Sequence, residues 1–146
     1  MGKLTKFKKL KKSYPNLFPK EWLGIECGDG WIELINILCQ YFDNMIKSKN
    51  VNFIQFAQIK EKFGLLRIYF NLEFPILNKK TEDPNRIFYE IHQTVATIEE
   101  ISSIVCEDCG QMKHERFNVK MRSIGGWKMT KCDECFKKYR KERMKK

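Results

Sequence analysis

Four of the six cysteines in this chain stand as two matched pairs, Cys106-x2-Cys109 and Cys132-x2-Cys135, separated by 22 residues. That spacing is the pattern of a tetrahedral four-thiolate zinc site. Zn²⁺ has no geometric preference from its d electrons, so four soft thiolates at about 2.3 Å close a structural shell around one ion. Two disulfides or four idle thiols are the competing readings, and a reducing compartment disfavours the first. A closed shell argues against catalysis, because catalytic zinc keeps an open fourth position for water. His114 as a replacement for one cysteine is the rival ligand set, but its position suits a surface residue at the start of a hairpin. His114 with Asn118 also raises the HNH-nuclease arrangement that treble clefs can host. That chemistry needs a second set of ligands for a divalent ion, and the chain has only two histidines. There is no nucleophile elbow, P-loop or HExxH, so the expectation is a protein that is not an enzyme.

Each knuckle encloses two acids, Glu107–Asp108 and Asp133–Glu134. Four thiolates and one Zn²⁺ already sum to −2, so these carboxylates add to an excess that Lys128, Lys131 and Lys137 are placed to offset. Asp133 and Glu134 also suit the first turn of a helix, where the macrodipole favours negative charge. Gly110, directly after the first pair, permits a tight knuckle that turns backbone N–H groups towards sulfur.

The elements that must position these thiols can be traced along the chain. "KLTKFKKLKKSYPNLFP" is a basic lead in which Leu4, Phe7 and Leu10 fall three apart, the spacing of a short helix on the body. In "GDGWIELINILCQYFDNMI", Trp31, Leu34, Ile35, Leu38, Tyr41, Phe42 and Met45 trace a helical apolar stripe, with Asp29 or Gly30 as its cap. The Gly-Asp-Gly reads as the start of that helix rather than a ligand loop. "VNFIQFAQIKEKFGLLRIYFNLEF" alternates as a β-hairpin turning at Gly64. "PILNKKTEDPN" is a polar loop, and "RIFYEIHQTVATIEEISSIV" is a second amphipathic helix running into Cys106. "HERFNVKM" and "WKMTK" read as two short strands joined at "SIGG", and "FKKYRKERMKK" as a closing helix. The expected core comprises Trp31, Phe56, Leu66, Ile68, Phe70, Ile91 and Ile98. Cys27 and Cys39 read as buried thiols, and His92 as a partly exposed helical residue.

The formal net charge of +10 is unevenly placed. Residues 1–20 carry +7, residues 136–146 carry +6, and the stretch between carries −3. No apolar run reaches the roughly 20 residues that span a bilayer, and the lysine-rich start has no apolar h-region behind it. A soluble protein of a bacterial host cytoplasm is expected, with no membrane partner. The basic ends suit either solvation and helix-dipole pairing or contact with nucleic acid or an acidic protein face. Lys8, Lys9, Lys11, Lys12, Lys137, Lys138, Arg140 and Lys141 are the candidate partner-binding residues.

Taken in order, "ECGDGWIELI", "QIKEKFGLLRIYF", "CEDCG" and "GGWKMTKCDEC" resemble a family of small zinc-containing proteins of bacterial phages and prophages. The resemblance covers residues 25–135. Family members often have a degenerate second cysteine pair, whereas this chain keeps both, which supports an intact metal site. In size and lysine-rich character the chain also resembles type II anti-CRISPR proteins, which bind Cas9 and stop it acting. The resemblance implies a non-enzymatic inhibitor of a host defence nuclease, with Cas9 the specific partner. The alternative is a nucleic-acid-binding zinc protein of phage regulation or DNA metabolism. The fold expected is α+β: a basic N-terminal segment (1–20), a core of two helices packed on a β-hairpin (21–105), and a small treble-clef-like zinc lobe (106–146). A plain zinc ribbon is the other arrangement for that lobe.

Overall fold

A computed structural model describes residues 3–22, 24–75, 83–115 and 118–145. The expected polar loop falls largely on 76–82, outside the described residues, as does the side chain of Leu4. The architecture is α+β. Helix α1 (Lys3–Ser13) lays Phe7 and Leu10 into the core, and the turn after it adds Leu17 and Phe18. The basic segment is thereby tied to the body through its apolar face, while Lys8, Lys9 and Lys12 stay exposed.

Helix α2 (Ile32–Lys47) buries Leu34, Ile35, Leu38, Cys39 and Phe42, the stripe its 3.6-residue period dictates. A single 3-10 turn, Asp29–Trp31, leads into it and buries Trp31 completely. Helix α3 (Pro84–Ile101) starts at Asp83, whose carboxylate accepts from the Asn85 amide at 3.0 Å, with Pro84 in the first helical position. Ile87, Ile91, Val95 and Ile98 face the core. The helix stops short of the expected Val105 and gives way to a 3-10 turn, Ser102–Ile104. The buried Ser102 hydroxyl accepts from the Leu66 amide at 3.0 Å and donates to the Glu99 carbonyl at 2.5 Å. Satisfying a strand donor is what this turn accomplishes.

Strands β1 (Phe53–Lys62) and β2 (Leu65–Glu73) form the antiparallel hairpin. Its alternation is interrupted once: the register shifts between Phe56 and Gln58, leaving Ala57 as the extra residue of a β-bulge. The bulge moves Ile59 onto the face of Ile54 and Phe56, opposite Ile68, so three apolar residues share one face despite odd spacing. Phe63 and Gly64 make the two-residue turn, both at positive φ (55° and 82°), the pattern of a type I′ turn. Both sheet edges are partly occupied near this turn. On β1, the Glu26 amide donates to the Ile59 carbonyl and the Glu61 amide to the Glu26 carbonyl, at 3.0 and 2.9 Å. On β2, the Ile68 amide donates to the Glu99 carboxylate at 2.9 Å, beside the Leu66–Ser102 bond.

Of the seven expected core residues, six are buried and Phe70 is half-buried, packed on Phe42 with ring centroids 5.4 Å apart and on His92 at 5.0 Å. Beyond α3, strands β3 (Lys120–Ile124) and β4 (Trp127–Lys131) pair antiparallel, and helix α4 (Asp133–Met144) follows. The first strand begins later than the expected His114, and residues 111–113 fold back instead on residues 104–106, where the 3-10 turn ends. The Cys106 amide donates to the Gln111 carbonyl at 2.9 Å and the Lys113 amide to the Ile104 carbonyl at 2.8 Å. The turn between β3 and β4 narrows to Gly125–Gly126, both at positive φ.

Phe56→Ala, which empties a fully buried site, should cost roughly 3–5 kcal/mol. Phe70→Ala should cost about half as much, since part of that ring is already in water. Urea midpoints at unchanged m-value measure both; equal losses would place Phe70 in the core after all.

Candidate metal centre

The first knuckle leaves the 3-10 turn after α3 through Val105, and the second opens α4. Cys132 is the N-cap of α4, its sulfur accepting from the Cys135 amide at 3.4 Å. Knuckle, hairpin, then a helix carrying the last cysteine is the order of a treble clef. The sulfurs of Cys106, Cys109, Cys132 and Cys135 all lie within 4.8 Å of one another. Cys109 and Cys132 are 3.8 Å apart, close to the ~3.8 Å that a tetrahedral ion bonded at about 2.3 Å would impose. The four thiols therefore fit a single metal ion. Cys106 and Cys132 are buried, Cys135 is half-buried and Cys109 faces solvent. Among the described residues His114 is exposed and stands outside the cluster.

The thiols are electrostatically interdependent. Burial pushes Cys106 up, but the amides of Cys109, Cys132 and Asp108 outweigh it and hold this thiol below its ordinary range. Cys109 and Cys135 are raised, first by burial and then by hydrogen bonding and charge from neighbouring thiols. Around the sulfurs, the apolar cluster among the described residues comprises Cys106, Val119 and Cys132, with Cys135 against it.

Three of the four knuckle acids have structural partners. The buried Lys131 pairs with Asp108, and its ammonium lies 5.2 Å from the Tyr139 ring centre. Arg122 pairs with Asp133 at 2.5 Å, which holds that carboxyl below its usual range, and lies 4.8 Å from the Phe136 ring centre. These two cations fasten α4, which buries no residue of its own. Glu107 does something else. Its carboxylate accepts from the Gly28 amide at 2.8 Å, and its carbonyl accepts from the Gly30 amide at 2.7 Å. Burial raises its pKa first, and the Gly28 bond works against that rise.

The Gly-Asp-Gly-Trp run is thus the seat of the first knuckle. A Cβ on Gly30 would lie 2.1 Å from the Cys106 carbonyl oxygen, and one on Gly28 would lie 2.4 Å from the Glu107 carbonyl oxygen. The Trp31 indole completes the seat by donating to the Val105 carbonyl at 2.8 Å. Asp29, expected as a helix cap, lies inside the turn, and among the described residues its buried Oδ1 has no hydrogen-bond partner; Glu107 supplies negative charge at that helix start from 79 residues away. The hairpin tip docks on the lobe as well: Thr130 donates to the Gly64 carbonyl at 2.5 Å, and the Glu107 amide donates to the Thr130 carbonyl at 3.0 Å. Gly28, Gly30, Trp31, Glu107 and Thr130 build the site, a role that pattern alone did not assign to them. Their one sequence signal is a pair of glycines flanking an acid before a tryptophan.

The eight candidate partner-binding residues divide between two helices. Lys8, Lys9, Lys11 and Lys12 lie on α1, with Lys11 half-buried, and Lys137, Lys138, Arg140 and Lys141 lie exposed on α4. Cys27 and Cys39 are buried in the main core, away from the cluster. Burial, with help from Asp43, pushes the Cys39 thiol up to about 12. No helix is long and apolar enough to cross a membrane among the described residues. No protein-family model, curated protein or solved structure matches this chain.

Gly30→Ala should lower stability by at least ~3 kcal/mol, because the clash is with backbone and cannot be relieved by a rotamer change. Gly125→Ala, with open space around it, should cost only the ~1–2 kcal/mol of its left-handed backbone. Thermal melts read the difference, and metal release to a chelator should quicken in the first variant alone. Cys39 should resist alkylation at pH 8 until the protein is denatured; rapid labelling of the native protein would contradict its burial.

Proposed function

We propose that this chain is a non-enzymatic binding protein folded around one structural Zn²⁺, and that it acts by occupying a host defence nuclease, Cas9 being the specific target. The observation that carries the non-enzymatic part is the donor set. Four protein thiols, all within 4.8 Å, supply every position of a tetrahedral ion and leave none for water or substrate. Zinc is the ion such a soft tetrahedral set selects. It serves cohesion, holding together a lobe whose apolar interior is too small to fold alone.

The choice of target rests on the likeness of a zinc-containing chain of this size and lysine-rich character to type II anti-CRISPR proteins. The GDGW, KEKFG and paired-cysteine motifs resemble phage and prophage proteins without fixing an activity. The charge constrains how such an inhibitor would work. Inhibitors that imitate DNA are acidic, whereas this chain has a net charge of +10. A protein so charged would dock on an acidic or mixed face of the nuclease and obstruct DNA loading or domain movement, rather than fill the DNA channel. The exposed lysines and arginine of α4 also support the second reading, a nucleic-acid-binding zinc protein of phage regulation or DNA metabolism.

Elemental analysis should find about one zinc per chain, and strong chelation should unfold the lobe beyond residue 106 while loosening the Gly28–Trp31 turn. Intact folding without metal would remove zinc from the proposal. Added to guide-loaded Cas9, the protein should stop target cleavage near one-to-one stoichiometry, without turnover. Charge reversal at Lys137, Lys138, Arg140 and Lys141, or at Lys8, Lys9, Lys11 and Lys12, should weaken binding and flatten its salt dependence. Cas9 left active, together with tight duplex binding at physiological salt, would give the function to the second reading.

A further inference from the structure

The hairpin face turned away from the core carries an ordered set of side chains that neither the metal centre nor the basic helices use. Pairing places Gln58 opposite Tyr69, Lys60 opposite Arg67 and Lys62 opposite Leu65, on the side opposite Phe56, Ile59, Leu66 and Ile68. The Lys60 ammonium lies 5.7 Å from the Tyr69 ring centre, and the Lys62 ammonium 5.6 Å from that of Phe63. At the turn the strip meets the second hairpin. Lys62, Phe63, Trp127 and Lys128 line one hollow, and among the described residues the two rings are the most exposed aromatics apart from Tyr89, at 64% and 63%.

Phe63 holds this place against its backbone. A bulky side chain at φ 55° is strained where asparagine or glycine would be relaxed. Glu61 in the same hollow is turned into the hairpin, where its carboxylate accepts from the Gly64 amide at 2.9 Å. Other acids, Glu26 beside Lys60 and Glu73 opposite Phe53, lie further from the tip.

From this arrangement we infer that the β1–β2 outer face and the two hairpin tips form a platform for single-stranded nucleic acid. Rings interspersed with cationic groups suit a ligand that carries both flat bases and phosphates. A protein hot spot would instead gather its rings into one desolvated centre. Exposed rings at loop tips can stack on bases only where the base faces are open, as in a single strand and not within a duplex. The inference stands apart from the inhibitor reading and from the lysines of α1 and α4.

Fluorescence anisotropy with a labelled single-stranded oligonucleotide of ~12 nucleotides tests it. Binding should be salt-sensitive, favour the single strand over the matching duplex, and quench tryptophan emission. Trp127→Ala should weaken affinity about 5- to 100-fold, with zinc content unchanged. Phe63→Asn should raise the melting temperature by relaxing the turn while weakening oligonucleotide binding, a divergence that a purely structural residue would not give. Absence of binding, equal affinity for duplex, or indifference to both Trp127→Ala and Phe63→Asn would overturn the platform. So would capture of a protein through Trp127 with no oligonucleotide bound.

Discussion

The contact between the Cys106–Glu107 backbone and the Gly28–Trp31 turn is the constraint on which the rest depends. It is made of bonds that cannot be relocated: a peptide carbonyl on the Gly30 amide, a carboxylate on the Gly28 amide, and an indole on the Val105 carbonyl. Because two glycines let the chains approach to backbone contact, the first cysteine pair is fixed relative to α2 before any metal is considered. The second pair is then brought in by β4 and α4, whose Thr130 and Lys131 reach back to the hairpin tip and to Asp108. Metal chemistry and the α+β core thus share one set of anchoring atoms.

That sharing gives a physical account of the acids around a cluster that is already negative when metallated. Asp108 neutralises a lysine that would otherwise be buried without a counter-charge. Asp133 holds Arg122 against Phe136 at the start of α4. Glu107 faces the positive end of α2 rather than the sulfurs. Each of these three acids faces a positive group of its own, which relieves much of the negative charge around the thiolates.

Features set by short-range patterns were legible in the sequence. The cysteine spacing, the apolar stripes of α2 and α3, the alternation of the hairpin and its Gly64 turn all repeat within a few residues, and the structure carries them. Features set by partners far along the chain were not. Asp29 looked like a cap because caps are local, yet the group that serves that helix start is Glu107. The end of α3 was overrun because Ile101, Ile104 and Val105 continue an apolar run, and nothing nearby announces that Ser102 must serve Leu66. Ala57 is invisible as a bulge until Phe56 and Ile59 are seen on the same face. Phe70 matched the apolar alternation of β2, but the helix opposite leaves part of its ring uncovered.

The sealing of the hairpin edges near the turn has a consequence for how this protein keeps company. A two-stranded ribbon ordinarily offers two rows of unpaired amides and carbonyls, an invitation to accretion by other chains. Here Ser102 and Glu99 occupy β2 donors, and the Glu26 segment occupies a stretch of β1. Self-templated ribbon growth is discouraged along this half of the sheet, in a sequence whose hairpin is rich in β-branched and aromatic residues. The same sealing turns away partners that would add a strand of their own, so recognition here must be made by side chains.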